Sequence, residues 1–209
     1  MIELLFDSFI ILFIVVDPIG LAPMFAALTR DDTPRQRRRL ALRGVLIAGG
    51  ILVTFVIVGD ALLRALGIGV PAFQIAGGVL LFLLAVDMLF ARHSGLRSTT
   101  EREQREAEHR KDISVFPLAI PLIAGPGALT TVLLMVSEQG DNPAVIGATL
   151  VVVMLVLAIA LGSLLLSGRL LRLIGETGAN VISRVLGVVL AALAAQYILD
   201  GLQAGLPAF

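Results

Sequence analysis

The 209-residue chain is 57% hydrophobic, carries 15% charged residues and has a formal net charge of zero. Soluble domains carry about 25% charged residues on average, so this composition excludes an ordinary soluble protein, and the balanced charge gives no support to nucleic-acid binding. The absence of cysteine excludes disulfides and thiolate metal sites. The composition therefore predicts an integral membrane protein.

Long apolar runs separated by polar connections predict six membrane-spanning helices. Each run approaches the roughly 20 residues that a helix needs to cross a bilayer. The fold class predicted is thus an all-α integral membrane protein. Its predicted spans are residues 2–29, 38–63, 71–91, 113–138, 143–167 and 181–203.

The distribution of basic residues predicts the orientation of the chain. Fifteen of the 16 Lys and Arg residues lie in or beside the first, third and fifth connections, and Arg64 is the exception. Basic residues favour the cytoplasmic side of a membrane. The connections 30–37, 92–112 and 168–180 are therefore predicted to be cytoplasmic, with both termini outside.

The two halves of the chain resemble each other at an offset of 108–109 residues, with Pro18 matching Pro126 and Gly59 matching Gly168. Each half has three spans, an odd number, so the halves must insert with opposite orientations. This pattern predicts an inverted-topology repeat. The predicted parts are a first three-helix repeat over 1–91, a charged loop over 92–112 and a second three-helix repeat over 113–209.

The first span contains an Asp, two Pro and a Gly near its middle. Pro18 has no backbone donor and Gly20 permits unusual backbone angles, so we expect a half-helix to end near Val16 and another to begin near Pro18. Asp17 is then the N-cap of the second half-helix. Capping does not exclude a further role, because a carboxylate at mid-membrane depth is costly and suggests a functional site.

The fourth span is predicted to be interrupted near mid-membrane in the same way. Gly125, Pro126 and Gly127 lie near its centre, and the half-helix that follows carries the hydroxyls of Thr130 and Thr131. Threonine in a membrane helix often bonds to its own helix, so the hydroxyls alone are weak indicators. Paired interruptions in matching positions of two halves nevertheless point to a transporter's binding site.

In an inverted repeat the half-helices that follow the two breaks would both start at the membrane centre. Their free N–H groups suit a carboxylate, whereas Asp17 and the carbonyl ends of the preceding half-helices suit an ammonium group or a metal cation. These features predict a site for a small zwitterion. The predicted substrate-binding residues are Asp17, Pro18, Ile19, Gly20, Gly125, Pro126, Gly127, Thr130 and Thr131.

Coupling of transport to protons or sodium is predicted at Asp17 and Asp87. Asp87 has an alternative interpretation as an interfacial residue, because it lies close to Arg92 in the sequence.

The segment from Asp17 to Gly20 that continues into Pro23, together with the segment from Pro121 to Thr131, resembles the MarC family of bacterial inner-membrane proteins. The resemblance extends over essentially the whole chain and includes the six spans and the charged central loop. The family is similar to a broader group that includes lysine exporters. The resemblance implies a multi-pass protein of the bacterial inner membrane that transports small neutral amino acids such as glycine, alanine or serine.

Two other functions stay open at this point. The chain could be a cation or metal exporter that uses Asp17, Asp87 and backbone carbonyls, or a non-transporting scaffold or regulator whose charged loop binds a partner. The sequence lacks the His-Glu-x-x-His and Gly-x-Ser-x-Gly motifs, so no enzyme is predicted, nor a cofactor or metal site. The expected partners are the substrate and the bilayer, and a homo-oligomer is left open.

Overall fold

The structure, a computed structural model, describes residues 2–90, 112–137 and 142–205, with side chains from residue 5 onward. Within these ranges every regular element is helical. The elements are α1 (Ile2–Val16), α2 (Pro18–Leu28), α3 (Pro34–Ala65), α4 (Val70–Phe90), an irregular helical segment (Ser114–Ile123), α5 (Pro126–Ser137), α6 (Pro143–Leu165) and α7 (Ser167–Gly205).

The all-helical fold class is confirmed. The described part of the chain has five helices long and apolar enough to cross a membrane, and a sixth span if one bent pair is counted as one. The bent pair is the irregular segment and α5, whose axes meet at 54°. Helices α1 and α2 together form a single span, Leu5–Leu28, so the first interruption is a local one. The predicted charged loop lies outside the described residues except for Asp112.

The connection predicted at 168–180 is helical in the structure. Helix α7 begins at Ser167 and continues to Gly205, with a break in its helical backbone at Gly175, where φ is 67° and ψ is 170°. Glycine adopts this positive φ without the steric penalty that a β-carbon imposes. Helix α7 therefore consists of two helical pieces, one before and one after Gly175, and the second piece includes the last predicted span.

The turn between the first two spans is held by local polar contacts at the arginine-rich end of α3. Thr33 and Gln36 form a reciprocal capping box at the start of α3, which satisfies two backbone donors that would otherwise lack partners. The Nε of Arg37 donates to the Thr29 hydroxyl over 2.9 Å, and its guanidinium lies 6.0 Å from the centre of the Phe25 ring. These contacts tie α2 to α3.

Helices α4 and α7 pack backbone against backbone through glycines on both sides. A β-carbon added to Gly78 would lie 2.8 Å from the carbonyl oxygen of Ala194 and 3.1 Å from the amide nitrogen of Ile198. A β-carbon added to Gly187 would lie 3.2 Å from the carbonyl oxygen of Ala85. Small residues at such contacts let membrane helices approach closely.

These contacts are reciprocal under the offset found between the two halves. A shift of 109 residues takes Gly78 to Gly187 and takes Ala194 back to Ala85. The two helices run antiparallel, because Gly201, near the end of α7, approaches Pro71, near the start of α4. An exchange of two inverted halves would produce this register, and the inverted repeat itself stays a prediction.

The start of the irregular segment is held by Asp112. Its Oδ1 accepts hydrogen bonds from the backbone N–H of Ser114 over 3.0 Å and from the Ser114 hydroxyl, and its Oδ2 lies 3.2 Å from Arg43 of α3. The hydrogen bonds from Ser114, and secondarily the charge of Arg43, lower the pKa of the Asp112 carboxyl below its usual 3.8. Both ion-pair side chains are about half exposed.

Asp112→Asn is expected to lower stability at neutral pH by less than about 1 kcal/mol, the range for exposed ion pairs. Because the folded-state pKa is lowered, the stabilisation is complete above pH 3.8 and is lost as the pH falls through the lowered pKa. Thermal unfolding in detergent should therefore show the wild type and the variant converging at acid pH. Asp31→Asn, on the exposed turn after α2, is the control, and a difference that persists unchanged at acid pH would contradict the charge argument.

Candidate functional site

The first break is centred on Asp17, which joins α1 to α2 in a left-handed backbone conformation with φ 45° and ψ 68°. Asp is one of the few side chains that adopt positive φ with some frequency, since its short carboxylate bonds locally. Here Oδ1 accepts the backbone N–H of Gly20 over 3.0 Å. This bond and the position of Pro18 at the first turn of α2 confirm the predicted N-cap.

The carboxylate of Asp17 is fully buried and is also bonded to the last span. Its Oδ2 accepts a hydrogen bond from the Ser183 hydroxyl of α7 over 2.6 Å. One residue along the chain, the carbonyl oxygen of Pro18 accepts the Ser163 hydroxyl of α6 over 2.5 Å. A buried charge or polar group is costly unless it is hydrogen-bonded. The two serine hydroxyls therefore stabilise the break, one at the carboxylate and one at the backbone carbonyl.

Ser163 and Ser183 were not among the predicted site residues. Each is a hydroxyl near one end of a predicted span, and that position is the one signal by which the sequence could have indicated them. Both side chains are buried in the structure. Serine at such a position usually bonds within its own helix. Only the packing reveals that both of these serines bond to the first span.

Gly20 is required by the closeness of the contact between Asp17 and Ser183. A β-carbon at position 20 would lie 2.3 Å from Asp17 Oδ2 and 2.7 Å from Ser183 Oγ. Both atoms belong to short side chains with little freedom to withdraw. Pro18 is buried, and Ile19 and Gly20 are half-buried, so the predicted residues of the first break all lie in or at the edge of the protein interior.

The second break differs from the regular half-helix expected before Gly125. The Ser114–Ile123 segment has wide turns, with the N–H of Leu118 bonded to the carbonyl of Ile113, and extended backbone angles at Phe116 and Ile120. Pro117 and Pro121 explain the difference, because neither has an N–H and each ring clashes with a carbonyl one turn earlier. The α-helical part of this span begins only at Pro126.

The two breaks lie against each other. A β-carbon added to Gly127 would lie 3.2 Å from Cγ1 of Val15, two residues before Asp17, and 2.7 Å from Cδ2 of Leu84 in α4. A cavity of about 10 Å³, room for about one water molecule, opens here. Its lining includes Val15, Leu84, Pro121, Gly125, Gly127 and Ala128, and it does not include Asp17.

The two threonines after the second break are placed differently from the first-break carboxylate. The hydroxyl of Thr131 is fully buried and donates to the carbonyl of Gly127 in its own helix over 2.8 Å. Thr130 is buried with its methyl group against Gly77 of α4. Pro126 is exposed. In this conformation the second break therefore presents glycine backbone, rather than a threonine hydroxyl, to the small cavity.

Asp87 is buried in α4, with 7% of its surface exposed, so it is not a fully solvated interfacial residue. It lies one helical turn beyond Leu84, which lines the cavity. Its predicted role in ion coupling stays a prediction.

Comparisons with known proteins give one family over nearly the whole chain. The family model described as MarC family integral membrane protein matches residues 2–206. A UPF0056 membrane protein of Archaeoglobus fulgidus is 38% identical over 199 residues, which cover 94% of this chain and 91% of the relative. The UPF0056 membrane protein YvbG of Bacillus subtilis is 34% identical over 202 residues, 95% of this chain and 94% of the relative.

A third relative, the UPF0056 inner membrane protein YhgN of Escherichia coli, is 33% identical over 194 residues, 93% of each chain. No solved structure matches the chain. The relatives thus include both bacterial and archaeal proteins, and the similarity covers all the spans described above.

Proposed function

The chain belongs to the MarC family of integral membrane proteins, and on that premise we propose that it is a secondary transporter of small neutral amino acids such as glycine, alanine and serine. The observation that carries the proposal is the carboxylate of Asp17, fully buried at a helix break. The second, glycine-lined break contacts the same span at Val15, two residues before Asp17. An ionisable group buried within a membrane span is costly to keep and is a functional-site hypothesis by default.

In the proposed site Asp17 holds the ammonium group of the amino acid. The carboxylate group of the substrate is held by the first N–H groups of α5, which follow Pro126 in the chain and lack partners within their own helix. Gly125 and Gly127 add no side chain to the cavity that they line at that helix start. A site with a carboxylate for the ammonium group and N–H groups for the carboxylate group suits an amino acid, and the narrow surroundings favour a small side chain.

The site must change shape to hold even glycine, because the cavity between the breaks has room for about one water molecule. We infer alternating access by movement of two inverted halves about the α4–α7 contact, where the reciprocal glycines meet. Coupling to protons or sodium through Asp17 and Asp87 belongs to the same proposal. We also propose that the protein lies in the bacterial inner membrane. Both termini are then outside, and the connections at 30–37, 92–112 and 168–180 are cytoplasmic.

Gly127→Leu is expected to lower glycine uptake at least tenfold. The larger side chain would fill the space between Val15 and Leu84, and overpacking a close contact of this kind costs about 1–3 kcal/mol. Uptake of radiolabelled glycine, alanine and serine is measured with purified protein in liposomes, beside a thermal unfolding curve for each variant.

Gly147→Leu is the matched control, since nothing lies within 4 Å of a β-carbon at that exposed position of α6. It should transport as the wild type does. Wild-type uptake by Gly127→Leu would remove the second break from the site. Liposomes containing wild-type protein that take up none of these amino acids would refute the proposed function, and uptake or binding of divalent cations instead would favour the exporter alternative.

A further inference from the structure

The bond between Ser183 and Asp17 joins the last span to the proposed substrate site. We propose that the Ser183 hydroxyl occupies, on Oδ2 of Asp17, the position that the substrate's ammonium group takes during transport. Ser183 is then a specificity and gating residue, displaced when an ammonium group binds and returning when it leaves. This inference rests on the proposed function and names the residue that controls its cationic subsite.

The two oxygens of Asp17 have different partners. Oδ1 bonds to the N–H of Gly20, three residues away, and that bond lasts as long as α2 begins at Pro18. Oδ2 bonds to Ser183, which is 166 residues away in the sequence and belongs to the other half of the chain. Of these two bonds, the one to Oδ2 depends on how the first and last spans are positioned relative to each other.

Oδ2 of Asp17 and the Ser183 oxygen are packed closely against position 20. A β-carbon on Gly20 would come within 2.3 Å of Oδ2 and 2.7 Å of the Ser183 oxygen. The Ser183 hydroxyl must therefore move away before an ammonium group can bond to Oδ2 in its place.

An ammonium group can replace this hydroxyl on chemical grounds. A serine hydroxyl has one donor and no charge, whereas an ammonium group has three donors and forms charge-assisted bonds to a carboxylate. While Ser183 holds Oδ2, only the fraction of molecules that have released it can bind an ammonium group there. The apparent affinity is reduced by that fraction.

The second inter-span hydroxyl bond keeps the break in place during this exchange. Ser163 of α6 donates to the carbonyl oxygen of Pro18, in the backbone of the break, over 2.5 Å. Ser163 therefore positions the start of α2, while Ser183 bonds to the carboxylate. The two serines, from consecutive spans of the second half, hold the backbone and the charge separately.

The test is glycine uptake into liposomes by wild type, Ser183→Ala and Ser183→Thr, with KM and the maximal rate determined separately. Removing the competing hydroxyl is expected to lower KM about tenfold. The maximal rate should also fall, because no hydroxyl recaptures Oδ2 as the ammonium group leaves. Ser183→Thr keeps a hydroxyl and should restore both constants to near wild-type values.

Ser137→Ala is the control, since it removes a buried hydroxyl whose partner among the described residues is the carbonyl of Leu134 in its own helix. It should leave both constants unchanged. If Ser183→Ala does not fold, Ser183→Cys, a weak donor of similar size, is measured with the same expected direction.

Each outcome separates the two proposals. Uptake by the wild type with an unchanged or raised KM in Ser183→Ala, or in Ser183→Cys where that variant replaces it, overturns this inference and leaves the proposed function standing. A lowered KM that Ser183→Thr does not reverse also overturns it, because the effect would then not come from the hydroxyl. No amino acid uptake by the wild type overturns both.

Discussion

Replacing Asp17 by Asn is expected to reduce amino acid uptake about 100-fold while leaving the fold in place. Hydrogen bonds to a charged group contribute about 1.5–3 kcal/mol, which corresponds to a change of roughly 10- to 150-fold. Asn has nearly the same shape, can still accept the N–H of Gly20 through its oxygen, and tolerates the positive φ of 45° at this position. The variant therefore removes the charge and, with its oxygen on Gly20, places an NH2 group where Oδ2 accepted the Ser183 hydroxyl; that NH2 group can donate to the Ser183 oxygen instead.

The measurement is glycine uptake in liposomes together with thermal unfolding in detergent. Asp200→Asn is the matched control, because Asp200 is a partly exposed carboxylate near the end of α7 that bonds to Gln196 in its own helix. It should transport at the wild-type rate. Asp17→Asn that unfolds as the wild type does and transports at the wild-type rate would remove the carboxylate from the proposed mechanism.

Replacing Gly78 by Ala is expected to destabilise the protein by about 2–3 kcal/mol, at the upper end of the range for overpacking a close contact. The added methyl would lie 2.8 Å from the carbonyl oxygen of Ala194 and 3.1 Å from the amide nitrogen of Ile198. Those atoms belong to the backbone of α7 and cannot withdraw by a side-chain rotation. Helices α4 and α7 would have to separate along their contact.

Thermal unfolding in detergent measures this cost, with Gly50→Ala as the control because nothing lies within 4 Å of a β-carbon there. The control should be neutral or slightly stabilising, as alanine is favoured over glycine within a helix. Gly187→Ala should destabilise as Gly78→Ala does, since the two positions correspond under the 109-residue offset. Wild-type stability in Gly78→Ala would show that α4 and α7 do not pack as closely as described.

The interruptions at Asp17–Pro18 and near Pro126 could be predicted because their causes are local. Proline removes a backbone donor wherever it stands, and an Asp before a Pro at a helix start caps the N–H groups that follow it. The spans could be predicted for a similar reason, since length and apolar composition alone decide whether a helix can cross a bilayer. These properties need no knowledge of what each helix packs against.

The form of the Ser114–Ile123 segment was only partly predictable. The break was predicted at Gly125, Pro126 and Gly127, and a regular half-helix was expected before it, where the backbone instead forms wide turns with two extended residues. A backbone that lacks the two N–H groups of Pro117 and Pro121 can adopt several irregular conformations. The surrounding spans, with Gly44 of α3 so close to Leu118 that a β-carbon would lie 2.5 Å from its Cδ2, select one of them.

The sequence by itself thus determined an all-helical membrane protein, the locations of its two breaks and the cap at Asp17. The tertiary structure alone decided that Ser183 bonds to the carboxylate, that Ser163 bonds to Pro18 and that Gly127 lies against Val15. Those partners are far apart along the chain, and they depend on how each span is rotated and tilted. Spans that are apolar on nearly every side carry little periodic signal of rotation, so these contacts appear only once the helices are packed.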